Sequence, residues 1–156
     1  IDCAGTIEEL NALIGWCLAA AESDRHENIR LALAPTQSEL FCVGAMVATA
    51  GPGQQPSLPL DNSAVERMEA KIDEIAEKLP VLKNFILPKG GELACRLHMA
   101  RTQCRYTERR AVATVEYESR IPMMVFKYLN RLSDLLFMLA RLANQNEGIA
   151  DTHWKP

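Results

Sequence analysis

Arg101, Arg105 and Glu108 stand at i, i+4 and i+7, and at about 100° per residue they occupy one face of a helix, with His98 and Arg109 at its edge. Leu93, Leu97, Ala100, Cys104, Ala111 and Val115 form the neighbouring apolar stripe, so the charged stripe lies beside the core-facing one instead of opposite it. Two guanidinium groups one turn apart can fork onto successive phosphates. Further along, Asn130, Ser133, Asp134, Phe137 and Arg141 share a face of another helix, while Leu132, Leu135, Leu136 and Leu139 fill much of the other. Asn and Ser are weak in helix interiors because their side chains compete for backbone hydrogen bonds, so their place among leucines asks for a reason. An amide or hydroxyl facing the arginine pair could orient a sugar or base. The alternative is that both stripes are solvated, salt-bridged faces, each pair worth only about 0.3 kcal/mol.

These residues need long helices to carry them. Ile7, Leu10, Ile14, Cys17, Leu18 and Ala21 recur at helical spacing behind Thr6 and Glu9, a capping-box pair, which predicts a first helix from Thr6 to about Ala21–Asp24. A second stretch runs from about Glu27 to Thr49 with Pro35 inside it, so a kink or break is expected there. Gly51 to Leu60 reads as an exposed connection. The third helix is capped by Asp61, Asn62 or Ser63, carries Val65, Met68, Ile72, Ile75, Ala76 and Leu79, and stops at Pro80; its Glu- and Lys-rich side reads as solvated. After the short loop Phe85–Gly91, the fourth and longest pattern runs from about Glu92 to Glu118. The fifth has Pro122 in its first turn and continues to about Asn146, leaving a short polar tail. No stretch sustains a period of two, so the expected fold is all-α, one up-down bundle of five helices filling residues 1–156.

Composition narrows the function classes. A formal net charge of −3 gives no broad basic field for nucleic acid. The five cysteines, Cys3, Cys17, Cys42, Cys95 and Cys104, are odd in number and form no C-x-x-C pair, so neither a disulfide framework nor a zinc site is expected and a reducing cytoplasm is the natural setting. No apolar run approaches the roughly 20 residues a bilayer span requires, and no signal-peptide pattern opens the chain. A di-iron bundle would need Glu-x-x-His pairs on two helices, which are missing. His26 and His153 lie near helix or chain ends, and His98 reads as a packed or hydrogen-bonded residue. Trp16, Trp154, Met123 and Met124 read as packing residues.

Four segments carry a family resemblance: GTIEELNALIG (Gly5–Gly15), FILPKGG (Phe85–Gly91), LHMARTQCRYTERRAVA (Leu97–Ala113) and YLNRLSDLLFMLAR (Tyr128–Arg141). In order and spacing they resemble the signature segments of PduO-type corrinoid adenosyltransferases, helical homotrimers that move the adenosyl group of ATP onto the cobalt of cobalamin. The resemblance implies that Arg101 and Arg105 are the family's ATP-binding arginines, with Glu108 the acid of the same motif. Asn130, Ser133 and Asp134 match polar positions near the nucleotide, and Phe85 matches the aromatic residue that lies against the corrinoid and helps exclude its lower axial ligand. Glu8 stands where the family usually has Asp, the partner of the Arg101 position across a subunit boundary.

By the same resemblance, cob(I)alamin attacks the 5′ carbon of ATP and triphosphate leaves. Arg105, helped by Arg101 and a hydrated Mg²⁺, holds the triphosphate, and Asn130 orients the nucleoside. A reductase supplies the reduced corrinoid, and neither nucleic acid nor a membrane is expected as a partner. Lys89 replaces the first Gly of a usual pair, Gly91 stands where Ser or Thr is common, and Tyr106 occupies a position that is often Arg. The family's Thr- and Gly-rich N-terminal segment, which wraps the phosphates, is not among these 156 residues, and a longer product is expected. The rival from another class is a noncatalytic trimeric helical interaction module that has lost ATP binding.

Overall fold

The computed structural model describes residues 3–55, 58–115 and 120–156. Six α-helical segments follow in order: α1 Cys3–Ala20, α2 Glu27–Leu33, α3 Thr36–Ala48, α4 Asn62–Lys78, α5 Glu92–Val115 and α6 Met123–Asn146, with a single 3₁₀ turn at Asp24–His26. The expected second helix is α2 and α3, divided at Pro35. Proline has no N–H and its ring crowds the preceding turn, so the α-helical ladder restarts with Glu39 N donating to Pro35 O at 3.1 Å. The five expected rods are therefore present, one of them broken.

Two boundaries differ from the sequence reading. Among the described residues the first helix already runs from Cys3, three residues before Thr6, and the Thr6 hydroxyl bonds back to Cys3 O at 2.8 Å instead of capping. Glu9 is correspondingly free to accept from Gln103 Nε2 at 2.9 Å, which ties α1 to α5. At the other end Pro122 precedes the first turn of α6, with ψ 141, and does not lie within it. Asp61 does cap α4, accepting from Ser63 N at 2.8 Å, and the backbone turns extended at Leu79 ahead of Pro80. α5 is described through Val115; the expected extension to Glu118 lies outside the described residues.

α6 is the axis of the core. Val125, Leu129, Leu132, Leu135, Leu136, Leu139 and Ala143 are buried along it, against α5 on one side and α4 on the other. Each buried leucine contributes roughly 1.5–3 kcal/mol relative to exposure, so this helix cannot shift without disrupting the bundle. Ala94, Ala100, Cys104 and Ala111 form a small-residue stripe on α5. That stripe lets α5 approach closely enough for Cys104 Sγ to reach Leu129 O at 3.1 Å. On its other side Thr107 Oγ1 donates to Thr6 O at 3.1 Å, pinning α1. The rod that carries the arginines is thus held from two directions.

The stretch Asp24–Ala48 is long and apolar enough to cross a bilayer by length and composition, which the sequence reading did not anticipate. It is two helices here, and Ile29, Leu33, Leu40, Val43 and Met46 bury their side chains in the bundle. Inside it Glu39 is held between Arg67 and the Tyr128 hydroxyl, the latter at 2.8 Å. A carboxylate satisfied by a cation and a phenol is the arrangement that makes burial of a charge tolerable in a protein core.

No β-strand occurs among the described residues, but Ile86 and His153 form an isolated antiparallel bridge. Leu87 N donates to Thr152 O and Trp154 N to Phe85 O, both at 2.8 Å. The tail is therefore fastened to the loop that carries Phe85.

Candidate active site on the face shared by two helices

α5 and α6 pack side by side, and the two polar stripes meet along their common outer edge. Asn130 Nδ2 donates to Glu108 Oε1 at 3.2 Å, joining them directly. Arg101 lies about two turns earlier on α5, with its guanidinium carbon 5.8 Å from the centre of the Phe137 ring on α6. Its Nε is buried and has no hydrogen-bond partner among the described residues. Burial first, and then the charge of Arg105, hold the Arg101 pKa below its usual value, so the two cations lie close enough to repel. Arg105 is exposed and makes no hydrogen bond or ion pair among the described residues. Glu108 stands three residues on from Arg105, but its carboxylate is turned to Asn130 instead. A buried donor and a second cation, both without acceptors among the described residues, are an arrangement able to take a polyanion.

The remaining sequence candidates divide. Asp134 is exposed on the same face and meets Arg131 at 3.3 Å. Ser133 is buried, and its hydroxyl turns back to Asn130 O at 2.8 Å, which places it beneath the face. Glu8 is exposed on α1 and has no hydrogen bond or ion pair among the described residues, Arg101 included. Tyr106 turns its ring toward Arg109 and Arg110, at 6.0 and 5.9 Å. Phe85 stands 82% exposed at the head of its loop, and with Trp154, Leu82 and Lys83 it lines an open hollow of ≈ 610 Å³. A second hollow, ≈ 450 Å³, opens beside Glu108 and Asn130 and is bounded by Glu69, Phe126, Lys127 and Arg131.

Sequence reasoning did not foresee what joins the Phe85 loop to the arginine face. His98 is buried on α5, with its ring 6.3 Å from that of Phe137 and edge-on to it; Nδ1 has no hydrogen-bond partner, so the residue is packed and not tied down as a donor there. Burial chiefly, with help from Arg101, depresses its pKa to about 4, while Asp151 in the tail opposes the fall. His98 thus lies in the electrostatic field of both Arg101 and Asp151. Asp151 in turn accepts from Arg141 Nε at 2.9 Å, which makes the buried Arg141 a support for the tail and not a member of the open face. Only the position of Arg141 among leucines hinted at this. Trp16 packs under Arg96, whose guanidinium carbon is 4.4 Å from its ring centre, and His26 is buried against the end of α6 near Glu147. Both are structural contacts.

Because the His98 pKa is lower in the folded chain than its ordinary 6.5, the folded state binds fewer protons than the unfolded state between about 6.5 and about 4. The stability held above pH 6.5 is therefore lost as pH falls through that window. The loss is on the order of 1–3 kcal/mol. Urea unfolding at stepped pH should show it, and His98→Gln should flatten the slope; an unchanged slope would remove His98 as the cause.

A model of the cobalamin adenosyltransferase family matches residues 1–143. The chain belongs to the cobalamin adenosyltransferase family. Among relatives of this adenosyltransferase chain, the corrinoid adenosyltransferase of Bacillus subtilis is 38% identical over 156 residues, covering 99% of this chain and 79% of that protein. The corrinoid adenosyltransferase PduO of Salmonella typhimurium is 37% identical over 144 residues, covering 90% of this chain and 41% of its own length. A solved variant of a PduO-type ATP:corrinoid adenosyltransferase from Lactobacillus reuteri, complexed with cobalamin and ATP, superposes with a TM-score of 0.93 at 31% identity, covering 100% of this chain and 86% of that one. The all-helical fold and the adenosyltransferase family expected from the four sequence segments are both shown.

Proposed function

We propose that this chain transfers the 5′-deoxyadenosyl group of ATP to cob(I)alamin, giving adenosylcobalamin and triphosphate. The observation that carries the reading is the pair Arg101 and Arg105, one turn apart, the first with a buried donor lacking an acceptor and the second without any ion-pair partner among the described residues. Membership in the family supports it, and the comparisons lend none to a noncatalytic module.

The reaction is displacement at carbon. The cobalt nucleophile belongs to the substrate, so the protein supplies orientation, exclusion of water and stabilisation of the negative charge that grows on the leaving triphosphate. Arg105 and Arg101 meet that charge. Asn130, already held by Glu108, orients the nucleoside, and Asp134 borders the same face. Ser133 contributes by fixing the Asn130 turn through its carbonyl. Phe85 offers an apolar wall to the corrin ring, and its exposure keeps it available for that contact.

Among the described residues no group of three His, Cys, Asp or Glu side chains is placed to hold a metal ion. Mg²⁺ would come hydrated with the triphosphate, where it would share with Arg101 and Arg105 the neutralisation of the phosphate charge, in keeping with the way magnesium usually accompanies nucleotides. The site is completed between subunits of a homotrimer, where Glu8 of a neighbouring copy meets Arg101; the outward, unbonded position of Glu8 supports that arrangement. A reductase supplies cob(I)alamin, and the setting is the cytoplasm.

Calorimetric titration of the full-length protein with MgATP tests the nucleotide half of this reading. Saturable binding with an affinity on the micromolar scale is expected, about 8 kcal/mol. Absence of heat at protein concentrations suited to that affinity would overturn it.

A further inference from the structure

The loop from Pro80 to Gly91 has no helix or sheet of its own, yet it must present the Phe85 ring in one place. Its end is held by a single side chain. Asn144, near the end of α6 and 4% exposed, donates from Nδ2 to Lys89 O at 3.0 Å and accepts at Oδ1 from Gly91 N at 3.0 Å. A carboxamide is the side-chain group that can satisfy both a carbonyl and an N–H in that way. It fits because the residue between them is glycine. Gly90 has φ +131, and a Cβ there would meet Asn144 Oδ1 at 2.1 Å.

The start of the loop is held one turn earlier on the same helix. Arg141 Nη2 donates to Pro80 O at 2.6 Å while its Nε takes Asp151 of the tail. The tail then grips the middle, at Phe85 O and Leu87 N. All three fastenings therefore trace back to α6, the helix that also carries Asn130 and Phe137.

We propose that Asn144 is a positioning residue for the reaction, fixing the Phe85 loop relative to the nucleotide face through its two bonds to Lys89 and Gly91. The inference rests on Phe85 being the corrinoid-side residue. Asn144 itself is buried behind the loop, and its side-chain bonds go to the loop backbone. Its effect should appear in corrinoid handling, while the arginine face is left as it was.

The test is a double-mutant cycle on the full-length enzyme, assayed with MgATP and chemically reduced cobalamin: wild type, Asn144→Ala, Phe85→Ala, and both together. Asn144→Ala should raise KM for cobalamin about tenfold, since a displacement of an ångström is costly at a reacting centre, with KM for ATP within about twofold of wild type. Amide exchange at Leu87 and Gly91 should quicken. In the Phe85→Ala background the same substitution should change the corrinoid parameters by less than about twofold, because the ring it positions is gone. Equal losses in both backgrounds, or a matching rise in KM for ATP, overturn the positioning role. Wild-type corrinoid parameters in Phe85→Ala alone overturn instead the assignment of Phe85, and the proposal falls with it. Should Asn144→Ala fail to fold, Asn144→Asp carries the cycle, since it keeps the acceptor for Gly91 N and loses only the donor to Lys89 O.

Discussion

Replacing Arg105 with alanine leaves the helical circular dichroism and the urea midpoint unchanged and reduces adenosylcobalamin formation by about 10²–10³-fold, the loss seen when one donor aimed at developing negative charge is removed. Folding is spared because the side chain is exposed and bonded to nothing among the described residues; such surface substitutions are usually neutral within about 0.5 kcal/mol. Arg105→Lys keeps the charge without the planar fork, so an intermediate rate is expected. Undiminished turnover of the alanine variant would take Arg105 out of the site.

Phe85→Ala gives the second large effect, and on the other substrate. An exposed ring contributes little to the fold, so thermal stability should hold. Losing an aromatic wall against the corrin ring removes about 2–3 kcal/mol of contact, a fall of about 100-fold in kcat/KM for cobalamin, while KM for ATP stays near wild type. Comparable losses toward both substrates would mean that Phe85 does not belong to the corrinoid side.

The two helices that bear the site were legible in the sequence because helical periodicity fixes which residues share a face. Arg101, Arg105 and Glu108 fall together on α5 by arithmetic alone, and Asn130 meets Glu108 because the leucines of α6 dictate which way that helix turns. Thr6 misled for a local reason: a hydroxyl can bond to the preceding turn from inside a helix as readily as it can cap one, and a capping pattern does not distinguish the two. The break at Pro35 was legible, because proline cannot supply the N–H that a continuous helix needs.

What the sequence could not show is the long-range bonding of irregular backbone. Asn144 follows Leu142 and Ala143 near the end of a helix, with nothing in that pattern to mark it, and its partners are Lys89 and Gly91, more than fifty residues away. The bonds from Leu87 to Thr152 and from Trp154 to Phe85 join two segments with no periodicity between them. His98 gives the intermediate case. Helical spacing placed it at the edge of the arginine face, but the influence of Asp151 on it required the tail to be placed in space.

The bond that breaks in ATP separates adenosyl transfer from phosphoryl transfer. Product analysis after incubating the full-length protein with MgATP and chemically reduced cobalamin examines it directly, by quantifying adenosylcobalamin and inorganic triphosphate together. Equimolar amounts of the two are expected. Release of ADP and phosphate without any cobalt–carbon product would contradict displacement at the 5′ carbon and, with it, this account of the arginine pair.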